Sequence, residues 1–153
     1  MLVVDLKSKG YVILLFVLYV SVVLLVSFVG INIFFPERLQ GNFSGASHNF
    51  VPFSTIETYL FNFKSYNLMT WFYNTFGNIL LFIPMGILLP ILIAKRIKFS
   101  LSVIPLFSLT IETLQYFTQL GVFDVDDIIL NTLGGYLGFL IFVLFSKGKK
   151  IFN

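Results

Sequence analysis

Ser108, Glu112, Gln115 and Gln119 follow one another at spacings of four, three and four residues, which stacks them on one face of an α-helix. Glu112 then lies about 10 Å below the end of that helix at Gln119, counting 1.5 Å per residue. A carboxyl at such depth in an apolar run needs a partner, a proton or water, and by default it faces a bundle interior or a wet cavity. Further on, Phe123-Asp124-Val125-Asp126-Asp127 opens a second apolar run, and Asn131 follows Asp127 by one helical turn. Asp124 or Asp126 suits the cap of that helix, where acids meet the positive end of the backbone dipoles. Capping alone does not require three acids. Asn74 and Asn78, also one turn apart, head a third run. Two carboxyls in different environments, Glu112 and Asp127, are the candidates for general acid/base work. The wider set of Asn78, Glu112, Gln115, Asp124, Asp127 and Asn131 suits binding of a polar group. Against catalysis, the chain has no Cys and one His, His48, so no Ser/His or Cys/His pair is legible, nor is a phosphate-cradling glycine motif. Asp124, Asp126 and Asp127 follow no recognised calcium loop, and neither a metal nor a cofactor is expected.

The elements that must position these residues are set by lipid. Hydrophobic residues make up 58% of the 153 and charged residues 11%, with a mean hydropathy of +0.94, too apolar for a water-soluble globule. No linker, low-complexity tract or repeat divides the chain, so a single domain over residues 1–153 is expected. Four runs reach or approach the roughly 20 apolar residues that cross about 30 Å of hydrocarbon: Tyr11 to Phe35, Phe76 to Ala94, Phe99 to about Leu120, and Ile128 to Phe145. The first is too long for a signal-peptide core and lacks a small-x-small cleavage site before Pro36. The expected fold is therefore an all-α membrane protein of about four transmembrane helices.

Charge orients them. Lys7 and Lys9, then Lys95, Arg96 and Lys98, then Lys147, Lys149 and Lys150 share one side if there are four crossings, against Arg38 and Lys64 on the other. This eight-to-two bias places both termini in the cytoplasm of a multi-pass cell-membrane protein and Pro36 to Thr75 outside. The formal net charge of +3 is thus a topology signal, and no nucleic-acid partner is expected. The topology also brings Asn78, Glu112, Gln115, Asp127 and Asn131 to similar depth in the outer leaflet, where a polar pocket opening outward is the simplest arrangement that satisfies them.

In the outer loop, Thr55 to Tyr66 is expected to form a short interfacial helix capped by Ser54 or Thr55 and placed to roof that pocket. Pro84 removes a backbone donor in mid-membrane, so a kink is expected near Leu80. Gly134-x-x-x-Gly138 allows close helix approach, more simply within the chain than in an oligomer.

Four blocks, in order, resemble the VanZ-like family: Asn49-x-x-Pro52-Phe53-x-x-Ile56; Gly77-Asn78-Ile79-Leu80-Leu81-Phe82-Ile83-Pro84-Met85-Gly86; Ser108-Leu109-x-Ile111-Glu112-x-x-Gln115; and Phe123-Asp124-Val125-Asp126-Asp127-x-x-x-Asn131-Thr132-x-Gly134. They span most of the chain. The family's last block is often preceded by an Arg, where this sequence has Gly121-Val122. The resemblance implies a small bacterial membrane protein whose family's namesake is associated with resistance to glycopeptide antibiotics, teicoplanin in particular. It also adds Asn49 to the candidate binding residues.

Three functions follow as expectations. The first is binding of a lipid-linked or amphiphilic cell-envelope ligand, or a lipoglycopeptide, in the outer-leaflet pocket, with membrane lipids as the other partners. The second is an intramembrane enzyme acting on a lipid-linked substrate with Glu112 as acid/base. The third is a proton-coupled transporter relaying through Glu112, which would need an oligomer, because the inner halves of the four helices are nearly free of polar side chains.

Overall fold

The computed structural model describes residues 6–30, 48–62, 68–93 and 97–147. Of the charged residues that orient the chain, Arg38, Lys64, Lys95, Arg96, Lys149 and Lys150 lie outside these, as do the end of the first run after Gly30 and residues 63–66 of the expected interfacial helix. Helix α1 (Leu6–Leu25) continues through a wider π-helical turn, Val26–Gly30. The strand β1 (His48–Asn49) and the short helix α2 (Ser54–Phe61) follow. Helix α3 (Leu68–Phe72), a second π-helical turn (Tyr73–Gly77) and α4 (Asn78–Leu92) succeed one another without a break. Then come α5 (Ile97–Thr118), β2 (Phe123–Asp124) and α6 (Val125–Lys147).

Among the described residues, three stretches are long and apolar enough to cross a bilayer: Lys9–Val29, Tyr73–Leu92 and Val125–Ser146. Helix α5 has the length, 22 residues, or about 33 Å, but more polar side chains. Several of these are masked from lipid by local bonds. The hydroxyls of Thr110, Thr113 and Thr118 donate to the carbonyls of Leu106, Leu109 and Leu114 at 2.7–2.8 Å, the back-bonding that lets such residues sit in an apolar helix. The all-α membrane architecture read from the sequence is the one observed, with one addition, the two-residue parallel pair β1–β2 that joins His48 to Phe123 and Asn49 to Asp124.

Glycine sets the closest seam. A Cβ on Gly134 would overlap the Ile79 carbonyl, one on Gly138 the Ile83 carbonyl, and one on Gly86 the Gly135 carbonyl. The Gly134-x-x-x-Gly138 spacing therefore serves packing of α6 on α4 within the chain, with the two backbones in direct contact. Contacts that rise together along both helices make α4 and α6 parallel. Helix α5 runs opposite to α6, since Gly135 lies against Ile104, Asn131 bonds Ser108 and Asp124 bonds Glu112. Phe82, Met85, Leu89, Ile104 and Ile111 fill the space between, joined by Val23 of α1. Helix α1 is the outlier, with only 6% of its span buried.

The stretch around Leu80, where a kink is expected, keeps its helical assignment. Helix α4 continues through Pro84 and Pro90, and the irregular segment is the π-helical turn upstream. The Tyr19 hydroxyl of α1 donates to the Leu81 carbonyl at 2.8 Å, next to the Leu80 carbonyl that Pro84 deprives of its usual donor.

Candidate functional site

The alternation of helix directions brings the start of α4, the end of α5 and the start of α6 to one end of the bundle, and the polar residues meet there. Asn78 donates to Asp127 Oδ1 at 2.6 Å. The Asp124 backbone N–H donates to Glu112 Oε2 at 3.1 Å. Gln115 Nε2 donates to the Ser27 carbonyl at 2.8 Å, tying α5 to the π-helical turn after α1. Asn131 Nδ2 donates to Ser108 Oγ at 2.8 Å, while Asn131 Oδ1 is buried without a hydrogen-bond partner among the described residues. Asp124 and Asp127 both lie within electrostatic reach of Glu112. Ser108, Glu112, Gln115 and Asn131 are 0%, 3%, 5% and 4% exposed, whereas Asn78, Asp124 and Asp127 at the outer edge of the cluster are half-buried.

Helix α2 is held over the start of α6 by the acids there. Asp126, fully buried, accepts the backbone N–H groups of Phe53 through Oδ1 and of Thr55 and Ile56 through Oδ2, the last two at 2.8 and 3.0 Å. These are the donors that the first turn of a helix leaves unpaired, and an ionised carboxylate suits the positive end of the helix. Asp124 caps its own helix, accepting the Asp126 N–H at 2.9 Å. It also accepts the Thr55 hydroxyl at 2.6 Å and Asn49 Nδ2 at 3.1 Å. Asn49 Nδ2 additionally donates to Thr55 Oγ1 at 2.9 Å, and Asn49 Oδ1 accepts the Val51 N–H at 3.1 Å.

Two sequence expectations change here. Neither Ser54 nor Thr55 caps α2. Phe53 occupies the cap position at φ 69° with no side-chain cap bond of its own, and the capping oxygens come from Asp126, more than 70 residues away in sequence. Gln119 leaves the polar face of α5, because the helix ends at Thr118 and Gln119 turns out at φ 58° into an exposed position. Asp126 and Thr55 are the residues that sequence reasoning left out of the site. The available signal was the run of three acids, which serves two helix starts rather than one.

Trp71 Nε1 donates to the Tyr59 carbonyl at 3.0 Å, fixing the far end of α2 to α3. On the side of α2 facing away from the bundle lies an open groove of about 540 Å³, lined by Val51, Pro52, Ser54, Glu57, Thr58, Phe61 and Asn62. Among the described residues no group of three His, Cys, Asp or Glu side chains is arranged to hold a metal ion.

Protein VanZ of Enterococcus faecium is 38% identical over 72 residues, which cover 46% of this chain and 44% of that protein. The match thus spans less than half of the relative. No solved structure matches the chain. The model of the VanZ/LLP1 family matches residues 12–146, a stretch that runs from α1 to the last turn of α6 and holds every residue of the polar end, and the chain belongs to that family.

Proposed function

We propose that this VanZ-like membrane protein binds a lipid-linked or amphiphilic cell-envelope ligand at its polar end, in the outer leaflet, and so lowers the access of a lipoglycopeptide such as teicoplanin to its target. The observation that carries the reading is the convergence of Asn78, Glu112, Gln115, Asp124, Asp127 and Asn131, with Asn49 above them, at one end of a lipid-exposed bundle. Polar side chains concentrated at one membrane depth call for a partner beyond lipid tails. Asn131 Oδ1, buried and without a hydrogen-bond partner among the described residues, leaves an acceptor for such a partner or for water. The outward orientation is supported by helix direction: the start of α1, the junction of α4 and α5, and the end of α6 all fall at the opposite end, and these are the segments rich in Lys and Arg. Both termini are then cytoplasmic.

The test is teicoplanin susceptibility of a Gram-positive host expressing wild type, Glu112→Gln or Asp127→Asn at matched membrane levels. Either amide retains an oxygen that can accept the bond seen here, from Asp124 N–H or from Asn78, so the variants remove the carboxyl group with little change of shape. Protection by wild type that both variants lose is the expected result. Equal protection by all three would remove the cluster from the function.

A further inference from the structure

Helix α2 contributes no buried residue, yet its first turn is fixed by a fully buried carboxylate and Phe53 is kept in the left-handed region to deliver it. A non-Gly residue at such a φ is costly and persists where the surroundings impose it. With Asp126 at its start and Trp71 near its end, α2 presents its other side in a fixed orientation. That side carries the groove of about 540 Å³. Its apolar walls are Val51 and Phe61, 64% and 79% exposed. Its polar floor is Ser54, Glu57 and Thr58. The Thr58 hydroxyl donates to the Ser54 carbonyl at 2.8 Å, which leaves its oxygen lone pairs to accept from a ligand. Glu57 is the one ionisable group in the lining, so the groove favours ammonium and hydroxyl donors and disfavours phosphate.

We propose that this groove holds the head group of an aminosugar-bearing amphiphile, with the ammonium at Glu57, hydroxyls at Ser54 and Thr58, and the start of the alkyl or acyl chain along Val51 and Phe61. The inference rests on the reading of the polar end as an amphiphile site and supplies the head-group contact and its chemical class.

Trp71, the chain's one tryptophan, is bonded to α2 and serves as the reporter. The full chain in nanodiscs is titrated with hexyl glucosaminide, hexyl N-acetylglucosaminide and hexyl phosphate, following Trp71 emission with calorimetry on the same samples. The expected result is saturable binding of the free amine, at least tenfold weaker binding of the N-acetyl probe, and none of the phosphate. Glu57→Gln should bring the amine down to the N-acetyl level, and Phe61→Ala should weaken both sugars equally, each with unchanged melting. Equal binding of the three probes by wild type, or wild-type binding by both variants, overturns the assignment. If teicoplanin protection still depends on Glu112 and Asp127 while the groove variants are neutral, the head-group site fails and the function stands. Glu57-dependent amine binding without any protection means the reverse.

Discussion

The two sides of α2 are built on opposite terms. On the side facing the bundle, Asp124 and Asp126 are engaged by donors from Asn49, Phe53, Thr55 and Ile56, and Asp126 is sealed from solvent. On the side facing away, Ser54 and Glu57 are exposed beside bare Val51 and Phe61. Buried polar groups that are all bonded specify one geometry, whereas exposed polar groups beside apolar surface are what recognition of an amphiphile requires. The same eight-residue helix thus separates a holding face from a presenting face, and substitutions on the two should part stability from binding.

The largest effect is expected at Asp126. In Asp126→Asn one of the two accepting oxygens is replaced by an NH2 that points at N–H donors, and the lost charge-assisted bonds should cost on the order of 3 kcal/mol, read as a lower melting temperature in detergent together with loss of any binding. Thr55→Val keeps the shape but deletes a donor to Asp124 and an acceptor for Asn49, with an expected loss of about 1 kcal/mol in the same assay. Glu57→Gln, on the other face, should change stability by less than about 0.5 kcal/mol while weakening amine binding. The smallest perturbation sharpens the comparison by accessibility. Because the chain has no Cys, Ser54→Cys should react with a membrane-impermeant maleimide on intact cells, whereas Thr55→Cys, one residue along but on the holding face, should react far more slowly. Equal rates at the two positions would erase the distinction between the faces, and labelling of Ser54→Cys only after permeabilisation would reverse the orientation.

Much of this end was legible in the sequence, because helical spacing alone groups Ser108, Glu112 and Gln115, and pairs Asp127 with Asn131. The shared depth of Asn78, Glu112 and Asp127 followed from counting crossings, and bonds such as Asn78 to Asp127 now join them. The clamp was not legible. It joins Asp126 to Phe53, Thr55 and Ile56 across 70 or more residues of sequence, and no local pattern encodes a cap supplied by another helix. The β1–β2 pair is two residues long and carries no alternation to read. Gln119 was misplaced because an ideal helix was continued one residue past its end. The glycine spacing in α6 signalled close approach but not its partner, which the carbonyls of Ile79 and Ile83 on α4 now identify.

The claim that the buried acids exist to hold α2 is tested most directly by amide hydrogen exchange in nanodiscs, comparing wild type with Asp126→Asn. The account expects the Phe53, Thr55 and Ile56 amides to be protected in wild type and to exchange at least a hundredfold faster in the variant, with the amides of α4 and the interior of α6 unchanged. Wild-type protection of those three amides in Asp126→Asn would contradict it.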